Sequence, residues 1–386
     1  MSRKRSGPRP QQSFFLFGPR GTGKSTWVNQ LLPDALHLDL LRQDLWRELD
    51  AKPERLRSHL EAFPDKEWIF VDEIQKIPVL LDEIHRAMEA HPHRKWALTG
   101  SSARKLKRGA VNLLGGRALR QEMHPYLASE LGGDFHLESA LRFGLVPLVR
   151  ESPDPEATLA TYAGMVLREE VHAEGLVRNL SAYSRFLETL SFSQGSQLNL
   201  ANVSRECGVD RKTLDGYLSV TEDLLLCHRL PVFAKRARRE LSSHAKLYLF
   251  DAGVFRSLRP KGPLDSPEEI DGQALESLVF QHLRAWVGLR GHQESLHFWR
   301  TRNGVEVDFV VYGESTFLAL EVKNSDRIQS ADLRGLRSFQ DDYPEARCAL
   351  LYRGSQRRIE HGILCLPVDD FLRGIDPASN LNQLLA

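Results

Sequence analysis

The sequence predicts an α/β protein in three parts: an N-terminal parallel α/β domain, a helical middle domain and a C-terminal α/β domain. Short apolar strands alternate with helical segments from about residue 12 to 135, which is typical of a parallel sheet with helices on both faces. From about 157 to 230 the pattern is helical, with few β-branched runs. After a linker that contains Gly and Pro, the chain returns to a helix, several strands and a helix.

The first strand, Phe14 to Phe17, runs into a Gly-rich turn with the spacing G-x-x-x-x-G-K-S. This spacing is typical of a phosphate-binding loop, in which the glycines let several main-chain N–H groups point at an anion. Lys24 is expected to reach the terminal phosphates, and the hydroxyl of Ser25 is expected to bind Mg²⁺. The predicted nucleotide-binding residues are Gly18, Pro19, Arg20, Gly21, Thr22, Gly23, Lys24, Ser25 and Thr26.

A second apolar strand, residues 68–71, ends in Asp72 and Glu73. Asp72 is predicted to hold Mg²⁺, and Glu73 to orient and polarise the attacking water. We expect this strand to lie beside the strand that precedes the phosphate-binding loop. Strands often end in solvated acids, but together with the loop this pair indicates hydrolysis rather than binding alone.

A third strand, residues 96–102, ends in polar residues. Its Thr99 is predicted to contact the γ-phosphate or the attacking water as a sensor. Arg117 is the candidate arginine finger, donated to the ATP of a neighbouring subunit, because a fork of five N–H donors suits the charge on a transferring phosphoryl group. Arg104 is a second candidate. The alternative for Arg117 is a surface or DNA-contacting arginine.

The net charge of +1 gives no overall argument for nucleic acid, but the basic residues are clustered. Residues 1–33 contain no Asp or Glu, and residues 91–121 contain eight Lys or Arg and again no acid. Between Arg229 and Lys246 there are six basic residues against Glu240 alone. Such runs are often only solvated faces, but three of them in one nucleotide-binding chain favour contact with DNA.

The composition also argues against several classes of protein. The four cysteines show no C-x-x-C spacing, which predicts free thiols in a reducing compartment rather than a zinc site or a disulfide framework. No apolar stretch approaches the ~18 residues that a membrane span needs, and the apolar run at residues 14–17 is too short for a signal peptide. We therefore expect a cytoplasmic protein without a membrane partner.

A helix-turn-helix pattern lies in the middle domain. Residues 200–207 and 211–218 predict two helices, with Gly208 ending the first and Asp210 capping the second. Two later strands would form a wing whose basic residues touch phosphates. The predicted DNA-binding residues are Arg211, Lys212, Lys235, Arg236, Arg238 and Arg239. The alternative is a winged-helix fold used only for packing or oligomerisation.

Two apolar strands near the C-terminal end carry charged residues. Asp308 lies in the first strand, while Glu321 and Lys323 alternate onto one face of the second. Asp308 and Glu321 are predicted to hold Mg²⁺, Lys323 to position or deprotonate water, and Glu276 to supply a further acid. Exposed strands also alternate Glu and Lys for solubility. The strongly apolar neighbours of these charges favour a nuclease-type site, used either for cleavage or only for binding.

Together these motifs resemble a prokaryotic family of AAA+ ATPases with a winged-helix middle domain and a C-terminal domain of PD-(D/E)xK nuclease-like fold. The resemblance implies ATP binding and a ring, often hexameric, in which Arg117 reaches across subunits. Thr99 and Ser101 depart from the Asn that is common at the sensor position of AAA+ motors. The resemblance rests on residues 18–26, 71–75, 98–102, 248–253, 306–310 and 321–323.

The predicted division of the chain follows from these motifs and from the linker signals. It comprises a disordered basic arm (1–11), an AAA+ P-loop ATPase domain (12–135), a helical lid or connector (136–180), a winged-helix domain (181–260), a linker (261–268) and a nuclease-like domain (269–386).

The expected function is ATP-driven DNA processing with ATP and Mg²⁺ as cofactors. The specific hypothesis is a ring motor on branched DNA, a Holliday junction or a fork, in recombination or repair, whose C-terminal domain binds or cleaves DNA. Two alternatives remain open. One is a nucleotide-dependent regulatory switch with an inert nuclease-like domain, and the other is a defence nuclease licensed by ATP.

Overall fold

The computed structural model describes most of the 386 residues. The described residues are 3–7, 9–101, 113–173, 175, 177, 179–235, 240–241, 244–263, 265–291, 293–377 and 380–385. Among the predicted site residues, Arg104, Arg236, Arg238 and Arg239 lie outside them, as does Ser102 of the third strand.

The N-terminal domain is built on a parallel sheet of five strands in the order β2-β3-β4-β1-β5. The strands are β1 (Phe14–Phe17), β2 (Leu36–Asp39), β3 (Trp68–Asp72), β4 (Lys95–Gly100) and β5 (Leu119–Glu122). The helices are α1 (Lys24–Leu31), α2 (Gln43–Ala51), α3 (Leu56–Glu61) and α4 (Leu80–Ala90). The predicted parallel α/β sheet is therefore present.

The position of the strand that ends in Asp72 differs from the prediction. β4 lies between β1 and β3, so the strand that precedes the phosphate-binding loop and the strand that ends in Asp72 are not neighbours. The pairs Phe17–Gly100 and Val71–Leu98 bring the carboxyl ends of all three strands to one edge of the sheet. The insertion of β4 places Thr99 between the loop and the acids, because β4 is the strand that carries it.

Both faces of this sheet are covered, which explains its near-continuous apolar strands. Alternate side chains of one strand enter two separate clusters. Phe15 and Phe17 pack on one face with Ile69 and Trp96, while Phe14 packs on the other face. A single strand therefore supplies core to both layers of helices.

The N-terminal arm departs from the predicted disorder. Arg5 donates to the carbonyl of His124 and pairs with Glu130 at 3.3 Å. Its guanidinium lies 4.7 Å from the ring centroid of Tyr126. Only 9% of the Arg5 side chain is exposed, so the described part of the arm is fixed to the fold by a buried charge with specific partners.

The middle domain is mostly helical. Its helices are α5 (Ala128–Leu131), α6 (Leu137–Phe143), α7 (Pro147–Arg150), α8 (Pro155–Thr161), α9 (Leu167–Ala173), α10 (Leu180–Ser191), α11 (Leu200–Cys207), α12 (Arg211–Asp223) and α13 (Ala252–Leu258). A π-helical turn, Tyr162–Val166, separates α8 from α9. A small antiparallel sheet, ordered β6-β8-β7, comprises β6 (Ser196–Gln197), β7 (Cys227–Leu230) and β8 (Lys246–Leu249).

The helix-turn-helix is formed as the sequence predicts. Gly208 ends α11 with φ 65°, a left-handed conformation that glycine adopts without strain. Asp210 caps α12 by accepting from the N–H of Thr213 at 3.0 Å. Leu214 and Leu218 are buried, while Arg211 and Lys212 are exposed. Sequence-local signals therefore determined both helix ends and the exposed face.

The two strands predicted for the wing, β7 and β8, pair antiparallel, but the segment between them takes a different course. After β7 the chain leaves the small sheet and runs beside the strand Glu294–Arg300 of the C-terminal domain. There the N–H of Phe233 donates to the carbonyl of Phe298 at 2.7 Å. The ammonium of Lys235 lies 4.1 Å from the ring centroid of Tyr312. Lys235 therefore contacts an aromatic ring of the C-terminal domain, because the segment that carries it pairs with that sheet.

The C-terminal domain follows the predicted order of a helix, several strands and a helix. Its elements are α14 (Pro267–Leu289), β9 (Glu294–Arg300), β10 (Glu306–Gly313), β11 (Phe317–Lys323), α15 (Arg334–Asp342), β12 (Arg347–Tyr352), β13 (Arg358–Glu360), β14 (Ile363–Pro367), α16 (Val368–Gly374) and α17 (Leu381–Leu384). The six strands form a mixed sheet in the order β13-β14-β12-β11-β10-β9.

A buried carboxylate joins α6 to α13 inside the middle domain. Asp251 accepts from the N–H groups of Gly253 at 2.9 Å, Val254 at 3.0 Å and Leu145 at 2.7 Å. Gly144 allows this approach, because a Cβ on it would lie 1.9 Å from an Asp251 oxygen. Three main-chain donors in the core thus depend on one side chain.

We predict that Asp251→Ala lowers the free energy of unfolding by about 3 kcal/mol, because it leaves three buried donors unpaired. Asp251→Asn should cost less, since it keeps the oxygen that faces Gly253 and Val254. Urea denaturation followed by circular dichroism measures both. The matched control is Asp210→Ala, an exposed cap whose loss should cost about 1 kcal/mol. Equal midpoints for the Asp251→Ala and Asp210→Ala variants would contradict the role of Asp251.

Candidate functional site

The phosphate-binding loop adopts a conformation that depends on its glycines. Gly21 and Gly23 have φ of 77° and 85°, which other residues rarely adopt. Gly18 is constrained by space, because a Cβ there would lie 2.5 Å from the carbonyl oxygen of Met123. Thr22 donates to the carbonyl of Pro19 at 2.8 Å and closes the turn.

Lys24 stands at the start of α1 and is buried. Its ammonium donates to the carbonyls of Gly18 at 2.8 Å and Pro19 at 3.2 Å. Burial lowers the pKa of Lys24, although nearby Glu73 opposes that shift. A buried ammonium bonded to main-chain carbonyls is well suited to receive an anion, because a phosphate would stabilise the charge that burial disfavours.

The two acids after β3 are held by the neighbouring strand. Thr99 donates its hydroxyl to Asp72 and accepts from the N–H of Glu73 at 3.2 Å. Gln75 donates to Glu73 and also, at 3.3 Å, to Ser101. The predicted sensor Thr99 therefore positions the acids directly. Gln75, two residues after Glu73, belongs to one of the motifs but had no predicted role, and it supports Glu73.

Glu73 combines an unusual backbone with an unusual environment. Its φ of 61° lies in the left-handed region, which few residues other than glycine adopt. Burial raises the pKa of its carboxyl group, while Lys24 counteracts the shift and Asp72 adds to it. Such a carboxylate is a better proton acceptor than a solvated one, which suits the activation of water.

The segment predicted as lid or connector covers the loop. The hydroxyl of Tyr162 donates to the carbonyl of Arg20 at 2.7 Å, and the N–H of Leu148 donates to the carbonyl of Gly21 at 3.2 Å. Arg20 also pairs with Glu170 at 3.3 Å. No sequence signal marks these lid residues, because only the tertiary fold brings Leu148, Tyr162 and Glu170 to the loop.

Arg117 lies far from the loop of its own chain. It precedes β5, whose first residue pairs with Phe14 at the amino end of β1, whereas the loop follows the carboxyl end of β1. Its guanidinium contacts Glu89 at 3.1 Å and His85 at 2.6 Å, both on α4. Arg117 therefore has no direct part in the nucleotide site of its own chain.

The predicted C-terminal residues come together at the face shared by β10 and β11. The pairing of Phe309 with Leu320 sets Asp308 beside Glu321, and the N–H of Val322 donates to Asp308 at 2.9 Å. Lys323 pairs with Glu321 at 2.7 Å. Glu276 on α14 joins the same cluster through Lys246, a residue that was not among the predicted site residues.

Lys246 lies at the start of β8 in the middle domain. Its ammonium contacts Glu276 at 3.0 Å and Asp308 at 3.2 Å, and it also pairs with Glu306. Tyr248, two residues further along β8, donates its hydroxyl to Glu276. No local motif marks Lys246, because its partners come from two distant elements of the chain, α14 and β10. The name acidic cluster is used below for the carboxylates Glu276, Glu306, Asp308 and Glu321 together with their partners Lys246, Tyr248 and Lys323.

The electrostatics of the acidic cluster follow from burial and from mutual contact. Burial raises the pKa of Glu276 to about 7 and that of Glu321 to about 8, with Asp308 adding to both shifts. Burial disfavours the charge of Lys246, but Glu276 and the other carboxylates outweigh it and raise its pKa. Lys246 is therefore a permanently charged partner of the carboxylates at neutral pH.

The predicted Mg²⁺ site at Asp308 and Glu321 does not fit this arrangement. Across the described residues, no group of three or more His, Cys, Asp or Glu side chains could hold a metal ion. The ammonium of Lys246 lies against the carboxylates of Glu276, Glu306 and Asp308 and so occupies one side of the predicted site. Lys323, predicted to position water, instead pairs with Glu321.

Comparison with protein families gives three matches along the chain. Residues 10–132 match the model described as an AAA domain. The N-terminal domain is a P-loop ATPase domain of the AAA type. Residues 134–265 and 271–371 match two models described as domains of unknown function, DUF8612 and DUF4143. No curated protein matches the chain.

Solved structures show only distant similarity. The replication initiator DnaA bound to AMPPCP and single-stranded DNA is 10% identical over 55% of this chain and 82% of its own, with a TM-score of 0.26. AMPPCP-bound DnaA from Aquifex aeolicus is 12% identical over 55% of this chain and 81% of its own, with a TM-score of 0.26. Protein VC1899 from Vibrio cholerae is 14% identical over 94% of this chain and 96% of its own, with a TM-score of 0.23. TM-scores this low carry no argument about function.

The donors of the ATPase domain fit a magnesium ion. Ser25 in the first turn of α1 supplies a hydroxyl, and Asp72 supplies a buried carboxylate at the same edge of the sheet. Hard oxygen ligands of this kind, completed by phosphate and water, are those that Mg²⁺ prefers. In the part of the chain that the structure describes, no helix is long and apolar enough to cross a membrane.

We predict that Glu73→Gln lowers the rate of ATP hydrolysis by about 100-fold or more, because an amide cannot accept a proton from water. Nucleotide binding should persist, since the loop and Lys24 are unchanged. Lys24→Ala is the contrasting variant and should lose binding itself. Steady-state hydrolysis together with binding of a fluorescent ATP analogue separates the two. Hydrolysis by Glu73→Gln at the wild-type rate would exclude Glu73 as the base.

Proposed function

We propose that this chain is an ATP-hydrolysing protein that processes DNA as a self-associated ring, with branched DNA such as a Holliday junction or fork as its substrate. The observation that carries the ATPase part is the bonded set of Asp72, Thr99 and Glu73 beside a buried Lys24. These are the groups that hydrolysis of a terminal phosphate needs, held at one edge of one sheet.

In this proposal each group of the ATPase domain has one task. The main-chain N–H groups of the loop and Lys24 bind the phosphates. Ser25 and Asp72 would hold a Mg²⁺ ion, which would supply positive charge against the phosphates. Glu73, supported by Gln75, accepts a proton from the attacking water. The lid residue Tyr162 is bonded to the loop itself, so nucleotide binding and movement of the lid are expected to be linked.

Self-association is proposed from the position of Arg117. The sheet separates this residue from the loop of its own chain, so an arginine finger at this position can act only on a neighbouring subunit. Its contacts with Glu89 and His85 are exposed, and exposed ion pairs stabilise little. The guanidinium is therefore free to exchange these partners for a phosphate across an interface.

Contact with DNA is proposed from the exposed face of α12 and from the basic tracts. Arg211 and Lys212 are exposed at the start of that helix. Among the described residues Arg211 pairs only with Asp215 one turn later, an exposed pair that a phosphate can displace. Contacts of this kind position a protein on the sugar-phosphate backbone and carry little sequence information.

One observation favours a second function, a nucleotide-dependent regulatory switch with an inert C-terminal domain. Lys246 fills the acidic cluster in which a nuclease would hold its metal ion. In a switch, slow hydrolysis would time a change of partner and would not respond to DNA. The two functions therefore differ in whether DNA changes the rate of hydrolysis.

We predict that forks or four-way junctions stimulate ATP hydrolysis more than linear duplex or single strands at one fixed salt concentration, which matters because phosphate contacts weaken as salt rises. Arg211→Ala combined with Lys212→Ala should reduce this stimulation but leave the rate without DNA unchanged. The matched control is Lys52→Ala, which removes an exposed lysine of the ATPase domain. Hydrolysis indifferent to every DNA would instead support the switch.

We predict that Arg117→Ala and Lys24→Ala are each inactive alone but regain hydrolysis when mixed. In mixed assemblies an intact loop from the Arg117→Ala chain meets an intact Arg117 from the Lys24→Ala chain. The matched control is Glu89→Ala, which removes a partner of Arg117 but keeps the guanidinium and should stay active. Normal hydrolysis by the Arg117→Ala variant would remove this residue from the mechanism.

A further inference from the structure

The acidic cluster contains a lysine where a metal-dependent nuclease would need its ion. Lys246 is 2% exposed and contacts carboxylates from two elements of the C-terminal domain, Glu276 on α14 and Asp308 on β10. A buried ammonium requires a purpose or a partner, and here it has several partners at ion-pair distance. Lys246 itself belongs to the middle domain, so the contact crosses between two parts of the chain.

We propose that Lys246 is the resident cation of the acidic cluster, and that the C-terminal domain is a non-cleaving module fastened to the middle domain through this lysine. The single positive charge of the ammonium stands where a nuclease places a divalent ion. The proposal does not depend on DNA being the substrate of the ATPase, because it concerns only the chemistry of this cluster.

The carboxylates of Asp308 and Glu276 already have partners on both sides of the domain boundary. Asp308 is bonded through one oxygen to Lys246 and through the other to the N–H of Val322. Glu276 accepts from both Lys246 and Tyr248. A metal ion would have to displace these donors and would then share a buried site with the charge of Lys246. Two cations within bonding distance of the same carboxylates repel each other strongly when buried.

Access from solvent to the acidic cluster is restricted. Asp308 and Glu321 are each 8% exposed, so a phosphodiester could not reach them without movement of their surroundings. Helix α15 lies against β10 at this point, and a Cβ on Gly335 would fall 1.9 Å from the carbonyl oxygen of Glu306. The cluster is therefore buried in the way of an interface between domains and is not an open catalytic cleft.

Strand β8 contributes two residues to the same cluster. Lys246 and Tyr248 are two positions apart and so point to one face of the strand. Both contact Glu276. Since β8 is the central strand of the small sheet, the middle domain reaches the cluster through its most constrained strand. This geometry points to a fixed link between the two domains.

The experiment measures binding of Mn²⁺, as a probe for Mg²⁺, to the full-length protein without nucleotide by electron paramagnetic resonance. The wild type and the Asp308→Asn variant should bind the same number of Mn²⁺ ions, because the acidic cluster of the wild type binds none. Lys246→Met should create one, because it leaves the carboxylates without their cation, and adding Asp308→Asn should abolish it. Lys323→Met is the matched control, since this lysine pairs only with Glu321 in the cluster, and it should create no site.

Cleavage of supercoiled DNA and of a four-way junction with Mg²⁺ or Mn²⁺ forms the second arm. Any DNA cleavage by the wild-type preparation should be equal in the Asp308→Asn variant, because the acidic cluster does not cleave DNA. If the Lys246→Met variant does not fold, the wild type alone decides the question. A Mn²⁺ site or a cleavage activity lost in Asp308→Asn but retained in Asp72→Asn would overturn the proposal. ATP hydrolysis measured in parallel reports separately on the proposed function.

Discussion

One largely buried helix of the C-terminal domain, α14, makes polar contacts with both other domains, and the arrangement of the domains depends on these contacts. Glu276 binds Lys246 of the middle domain at 3.0 Å. One turn from the middle of the helix, His282 accepts from the N–H of Ala128 at 2.9 Å; burial lowers its pKa to about 4, so the ring is neutral. Arg284 pairs with Glu122, the last residue of β5, at 2.7 Å. Buried polar groups of this kind tolerate few alternative arrangements, because each lost partner costs free energy.

The same helix connects the nucleotide site to the acidic cluster through contiguous contacts. Glu122 is followed by Met123, whose N–H donates to Phe17 at 2.7 Å and whose carbonyl excludes any side chain at Gly18. The phosphate-binding loop therefore packs against Met123, and Met123 is the neighbour in sequence of Glu122, the residue that pairs with Arg284. A change in the loop when nucleotide binds has a packed route to α14, and mutation of Arg284 tests whether that route carries coupling.

Sequence reasoning succeeded where the signal is local. The spacing of Gly18, Gly23 and Lys24 identified the loop, and Gly208 with Asp210 fixed a helix end and a cap, because neighbouring residues determine each of these features. It failed where distant segments meet. The insertion of β4 between β1 and β3, the course of the chain around Lys235 and the arrival of Lys246 at Asp308 all depend on tertiary packing. No spacing within one segment of the chain encodes them.

The contrast between two buried lysines decides which site is built for a ligand. Lys24 donates to main-chain carbonyls, and burial lowers its pKa, so its charge is stabilised incompletely until an anion arrives. Lys246 is bonded to carboxylates that raise its pKa, so its charge is already matched. Two lysines that are similarly buried thus have pKa values shifted in opposite directions, because their partners differ. The first lysine leaves binding energy for phosphate, whereas the second uses its charge to hold two domains together.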